Sequence, residues 1–268
     1  MTMQFSTISK AKKETGLSYL GSMNSSSKIE KNQKIGVNTY ILYLLPANLS
    51  GYNVCPYASK ECKEGCLATS GRNAMEIACG KDRINKARLA KTKLFHEDQN
   101  FFMGWLIAEI KANKAKSEKQ NMFFSVRLNG TSDIDWANVY YDGKNVFEHF
   151  PTVQFYDYTK NPNKFKNIAD NYHLTFSYTG ININTTKEIL KQGFNVVVVF
   201  NVKKIIDFPS KFLGYNVVSG DDTDYRPSDD KNVIVGLKWK KIADKEANER
   251  ISTKSRFVVQ LDDENVQV

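Results

Sequence analysis

Outside one short window the chain has no cysteine: all four lie between Cys55 and Cys79 in a sequence of 268 residues. Long apolar runs are missing too. The longest inside a strand-like segment is VVVVF, far short of the ~20 residues that a membrane-spanning helix needs, so no membrane partner is expected. The N-terminal stretch MTMQFSTISKAKKETG has no apolar h-region of the kind a secretory signal carries. The expected compartment is therefore the cytoplasm, where disulfides are rare. Only 3 histidines are present, at His96, His149 and His173, and none has metal-ligand spacing. There is no Gly-rich dinucleotide loop, no phosphate-binding P-loop and no G-x-S-x-G elbow. No internal repeat is visible.

What is present is an ordinary globular composition, 41% hydrophobic and 25% charged, with 13 Tyr and 16 Phe. That composition excludes a disordered chain. The formal net charge is +9, which suits an anionic partner but says nothing about fold. Lys and Arg are interleaved with neutral and acidic residues in GKDRINKARLAKTK, KANKAKSEK and LKWKKIADK. Such runs read first as solvated faces, and as a nucleic-acid surface second.

The first 35 residues are polar and read as a loosely ordered arm, followed by one domain over 36–268. Within it NTYILYLLPA, MFFSVRL, TVQFYDY, YHLTFSYT, FNVVVVFN, GYNVVSG, NVIVGLKW and RFVVQL are strand-like. Helical spacing appears in RINKARLAKTKLF, FFMGWLIAEIKANKAK and NTTKEILKQG, with Asn184 or Thr185 as the expected cap of the last. Strands alternating with helices, several apolar on both faces, predict an α/β fold with a parallel sheet. About eight such strands predict a (β/α) barrel-like arrangement, complete or irregular, with the cysteine loop after the first strand, and a doubly wound open sheet is the alternative.

A barrel places its active site on the loops after the strands. Those loops carry Arg127, Asn129, Thr131 and Asp133 in RLNGTSDIDW, Asp157 and Lys160 in YDYTK, Ser177 in SYT, and Asp221 and Asp222 in SGDDTDYRP. Each alone reads as a turn or cap residue. Together they predict a polar mouth, with Arg127, Asn129, Asp133, Asp157, Lys160, Asp221 and Asp222 as candidate catalytic groups and Thr131 and Ser177 as cofactor contacts.

The cysteine window NVCPYASKECKEGCLATSGR, extended to Cys79, has the spacing C-x6-C-x3-C-x12-C. It forms part of a metal-cluster loop predicted over 53–80. Two C-x2-C knuckles, the usual sign of structural zinc, are missing. Iron–sulfur ligation tolerates more varied spacing, so a [4Fe–4S] cluster on Cys55, Cys62 and Cys66 is expected, with Cys79 as a fourth candidate ligand and zinc as the alternative metal. The x3 gap predicts Cys62 and Cys66 on consecutive turns of one helix. Without Cys79 one iron stays open to a ligand.

The blocks TGLSYLGSMNSSSKI, TYILYLLPANLSGYNVCP, ECKEGCLATSGR, ARLAKTKLF, VRLNGTSDIDW, FPTVQFYDYTK, NYHLTFSYT, GDDTDYRP and VIVGLKWK resemble the bacteriophage gene product 88 family. The resemblance implies a phage or prophage setting, hence the host cytoplasm. It centres the cysteine signature on Cys55, Cys62 and Cys66. Three cysteines after a first barrel strand also resemble radical S-adenosylmethionine enzymes in architecture, although their spacing is C-x3-C-x2-C and no Gly-Gly-Glu motif is present here. Two functions follow as expectations. One is an iron–sulfur enzyme acting on a small-molecule or nucleotide substrate, with or without S-adenosylmethionine. The other is a metal-stapled nucleic-acid-binding protein.

Overall fold

The computed structural model describes residues 4–23, 27–66 and 71–267. In chain order the first elements are α1 (Ile8–Thr15), β1 (Gly21–Ser22), α2 (Ser27–Gln33), β2 (Val37–Leu42), α3 (Lys60–Glu64) and α4 (Gly71–Ala78). Next come α5 (Arg83–Glu97), α6 (Gln99–Lys119), β3 (Phe123–Arg127), β4 (Tyr140–Tyr141), β5 (Lys144–Asn145), α7 (Val146–His149), β6 (Gln154–Thr159) and β7 (Tyr172–Ser177). The last are α8 (Ile183–Lys191), β8 (Val196–Phe200), β9 (Lys211–Phe212), β10 (Tyr215–Ser219), β11 (Ile234–Lys238), α9 (Lys245–Lys254), β12 (Val258–Val259) and β13 (Val266–Gln267). The chain divides into two compact units, and the division passes within β6 and β7.

The first unit comprises Met1–Pro56, Asp82–Asp157 and Asn167–His173. Here β2 pairs in parallel with β3, from Val37 opposite Phe123 to Ile41 opposite Arg127, and β3 pairs in parallel with β6. The short β1 closes the edge antiparallel to β2. All six residues of β2 are buried, as expected of a parallel strand covered on both faces. α6 buries Phe101, Phe102, Met103, Trp105, Leu106 and Ile110, so its apolar surface extends well beyond one stripe.

Among the described residues of the expected polar arm, 1–35, are α1, β1 and α2. α1 is capped by Thr7 and ends at Gly16, which takes the left-handed conformation at φ 70°. A side chain at Gly104 of α6 would come within 2.9 Å of Phe5, so the segment leading into α1 lies directly against α6. Asn32 of α2 is fully buried and donates to Thr39 Oγ1 (2.8 Å) and to the Tyr156 hydroxyl (3.1 Å). The composition was polar because this segment meets the core through a few residues, Ala11, Leu17, Leu20, Met23 and Ile29, spaced too irregularly to read as a face.

The second unit comprises Tyr57–Lys81, Tyr158–Lys166 and Leu174–Val268. β8 pairs in parallel with β7, β11 and β12, and β10 pairs in parallel with β11. β9 runs antiparallel to both β10 and β13. The fold is thus mixed α/β with a mostly parallel sheet. Among the described residues no strand pairing closes a barrel. The helix expected in NTTKEILKQG, with Asn184 or Thr185 as its cap, runs from Ile183 to Lys191 with Asn182 in the cap position. Among the described residues no helix is long and apolar enough to cross a membrane.

Candidate functional site

In the first unit the segment after β3 is laced to the segment after β2. The Gly130 N–H donates to Leu42 O (3.0 Å), and the Thr131 hydroxyl donates to Leu44 O (2.5 Å). The Asp133 N–H donates to Val54 O (2.7 Å), and the Cys55 thiol lies 3.8 Å from its acceptor, Thr131 O. Gly130 is required by this contact, because a Cβ there would stand 2.6 Å from Leu42 O and 2.7 Å from the Tyr43 ring. The block RLNGTSD therefore holds the cysteine loop. Cys55 Sγ in turn accepts the Ala47 N–H at 3.4 Å, the kind of contact that stabilises a thiolate.

Directly before this clamp, from Asn129, lies a buried polar network. Asp157, 1% exposed, accepts from the Asn129 backbone N–H at 2.8 Å, from Asn129 Nδ2 at 3.4 Å and from the Tyr172 hydroxyl at 3.1 Å. Asn129 Oδ1 accepts from the Ser132 hydroxyl, the Ile134 N–H and the Trp136 indole. Burial, then the Asp157 and Asp133 charges, raise the Tyr172 pKa well above the usual tyrosine range, so Tyr172 stays a donor. Asn129 and Asp157 thus shape the turn. Arg127 ends β3 and is buried beside them in sequence, as is Asp133.

Sequence reasoning missed two cations of α5 near the same strand ends. Arg88 lies over the Tyr43 ring at 5.3 Å and Lys91 over the Tyr19 ring at 4.6 Å. Burial lowers the Lys91 pKa to about 8, against a raising effect of Glu109. RINKARLAKTKLF read as a solvated basic helix, and only an anomalous lysine on its buried side signals otherwise.

In the second unit α3 is capped by the Ser59 hydroxyl, which accepts the Cys62 N–H at 3.2 Å. Cys62 packs against Ile242, Ile251, Phe257 and Val258. The expected placement of Cys62 and Cys66 on consecutive helical turns does not occur. α3 ends at Glu64, the Gly65 N–H returns to Glu61 O, and Cys66 follows outside the helix. Trp239 crowds Gly65 to within 2.9 Å of a would-be Cβ. Cys62 and Cys66 are half-buried, whereas Cys79 is exposed after α4, and none of the four cysteines is disulfide-bonded. Among the described residues no three His, Cys, Asp or Glu side chains form a group that could hold a metal ion. The donors themselves, reduced thiols with one already accepting an N–H, have the softness that iron–sulfur or zinc ligation requires.

The remaining predicted residues of this unit play varied parts. Asp221 Oδ2 accepts the Lys238 N–H at 2.9 Å, pinning its loop to β11, while Asp222 is exposed. Ser177 is buried at the end of β7, where its carbonyl accepts from Asn182 Nδ2, and Lys160 is half-buried after β6. The GDDTDYRP loop wraps the fully buried Arg226, whose guanidinium donates to Thr223 O and lies 3.0 Å from Asp229 in an ion pair without hydrogen-bond alignment. Burial pushes the Asp229 pKa up to about 6, against the lowering effect of Arg226. A separate cleft of about 360 Å³ is lined by Glu61, Thr179, Ile181, Arg250, Lys254 and Arg256, among others.

Mostly parallel strands with polar networks at their C-terminal ends define a mixed α/β protein. The family model described as Gene product 88 matches residues 9–260, and the chain belongs to that family. No curated protein and no solved structure matches it.

Proposed function

We propose that the protein is an iron–sulfur enzyme in which Cys55, Cys62 and Cys66 hold a [4Fe–4S] cluster with one iron open to a ligand. The observation that carries this reading is the treatment of Cys55. It sits on the loop after β2, its sulfur accepts a backbone N–H, and the segment after β3 clamps the loop through four contacts. Cys79, exposed, falls outside the ligand set. When bound, such a cluster supplies either one-electron chemistry, with S-adenosylmethionine as partner, or Lewis-acid activation of a substrate. In this reading Thr131 and Asp133 orient a small-molecule or nucleotide substrate near the loop. The chain-order winding of β2, β3 and β6 is in keeping with an incomplete barrel-like arrangement.

The test is iron and acid-labile sulfide content of protein purified without oxygen, with EPR after reduction. About four of each per chain are expected. Cys55→Ala, Cys62→Ala and Cys66→Ala each lose the cluster, while Cys79→Ala keeps it; iron loss in Cys79→Ala refutes the three-ligand set. An EPR signal that changes with S-adenosylmethionine assigns radical chemistry, and zinc in place of iron ends the enzyme reading.

A second reading, a metal-stapled nucleic-acid-binding protein, is favoured by the cleft that gathers Arg250, Lys254 and Arg256 around 360 Å³. Neutralised phosphates release counterions, so binding to single-stranded DNA then weakens steeply with salt. Replacing all three by Ala flattens the log–log salt slope by about 2, since each lost contact to a single strand removes about 0.7. An unchanged slope removes the cleft from consideration.

A further inference from the structure

Lys91 is 6% exposed. Among the described residues it makes no hydrogen bond and no ion pair; its one contact of note is the Tyr19 ring. Glu109, the carboxylate that acts on it electrostatically, is committed elsewhere. Its oxygens accept from the Leu20 and Gly21 N–H groups and from the Tyr40 hydroxyl. A buried ammonium that no oxygen hydrogen-bonds directly is costly, and proteins keep one only where something offsets the cost.

Its position is fixed by the fold. Thr92 Oγ1 accepts the Leu45 N–H at 2.9 Å and donates to Arg88 O, which locks α5 to the chain as it leaves β2. Arg88, one turn before Lys91, lies over Tyr43, the residue directly after β2, and Gly130 abuts the same ring. Two cations are thus laid on two aromatic rings at the C-terminal end of a parallel strand, the end at which α/β sheets take their ligands. The sulfur ligand proposed above plays no part in this placement.

We propose that Lys91, with Arg88 beside it, binds the anionic group of a small-molecule ligand, a carboxylate or a phosphate, at the C-terminal end of β2. The ligand anion supplies the direct partner that Glu109, committed to Leu20, Gly21 and Tyr40, does not. Lys91 is lowered only to about 8, so it still carries its charge at neutral pH. The Tyr19 ring fixes the ammonium without neutralising it.

Thermal unfolding of the full chain, with inorganic phosphate, pyrophosphate, malate or citrate as probes, tests the site. A probe at tenfold excess over its Kd raises Tm by about 3 °C or more in the wild type. Lys91→Met abolishes the rise, whereas Lys119→Met, on the exposed end of α6, keeps it. A rise with phosphate or pyrophosphate alone assigns a phosphate ligand, and one with malate or citrate alone a carboxylate. No rise with any probe, or an equal rise in Lys91→Met, overturns the proposal. If Lys91→Met fails to fold, the Lys91 side-chain signal in ¹³C-lysine-labelled wild type decides: it moves on anion addition, and a static signal overturns the proposal.

Discussion

Asp157→Ala lowers the stability of the protein by about 3 kcal/mol or more, read as a fall in the urea midpoint at unchanged m-value. The carboxylate is 1% exposed and is the acceptor for the Asn129 N–H, Asn129 Nδ2 and the Tyr172 hydroxyl. Alanine removes all three acceptances at once and leaves buried donors, each costing about 1–3 kcal/mol when unpaired. The variant Tyr172→Phe removes one donor and leaves Asp157 two others, so its loss is about 1 kcal/mol. The effect of Asp157→Ala reaches the cysteine loop as well, because Asn129 opens the segment whose Gly130, Thr131 and Asp133 hold residues 42–55. Iron content therefore falls with stability in Asp157→Ala and not in Tyr172→Phe. An unchanged midpoint in Asp157→Ala shows instead that Asp157 is kept for chemistry and not for the turn.

Lys91→Met gives the opposite sign: it stabilises the ligand-free protein by up to about 3 kcal/mol at pH 7. The folded pKa of about 8 lies below the ordinary 10.5, and each unit of difference corresponds to about 1.4 kcal/mol. Below pH 8 the lysine is charged in both states, and the folded state bears the full cost of burying it. Between about 8 and 10.5 the unfolded chain holds more protons than the folded one, so wild-type stability rises with pH. The groups facing Lys91 act against each other: Arg88 lowers its pKa and Glu109 raises it. The advantage of the Met variant thus shrinks through that window and vanishes above it. Urea midpoints at pH 7, 9 and 10.5 check this, and a constant difference across the three removes Lys91 titration as the cause. Saturating anion reverses the order of the two proteins only if Lys91 binds it.

The strands were legible because a strand buried on both faces has to be a short apolar run, and NTYILYLL, FFSVRL, FNVVVVF and NVIVGL are such runs. α5 and α6 were legible from their spacing. α1 and α2 were not, since each anchors through one or two buried residues in otherwise polar sequence, Ala11 in one, Ile29 and Asn32 in the other. A residue such as Asn32, which serves the core by donating two hydrogen bonds, looks from sequence like any exposed Asn.

The candidate site was legible to a similar extent. Asn129, Thr131 and Asp157 could be picked out because polar residues directly after buried strands stand at the sheet edge. Their roles could not, because whether a carboxylate meets backbone N–H groups or substrate depends on what folds over it. Lys91 shows the same limit more sharply: it sits in a helix whose other cations, Lys86 and Lys93 among them, are more exposed, and only its contact with Tyr19 marks it.

The sequence by itself determined the α/β class, the family and the concentration of thiols after the first long strand, because periodicity, local motifs and residue spacing are all properties of neighbouring positions. Only the tertiary structure decided that the chain forms two compact units, that the segment after β3 grips the Cys55 loop, and that one lysine among many lies buried without a direct hydrogen-bonding partner. Those outcomes depend on contacts between residues tens of positions apart, whose energies no local pattern records.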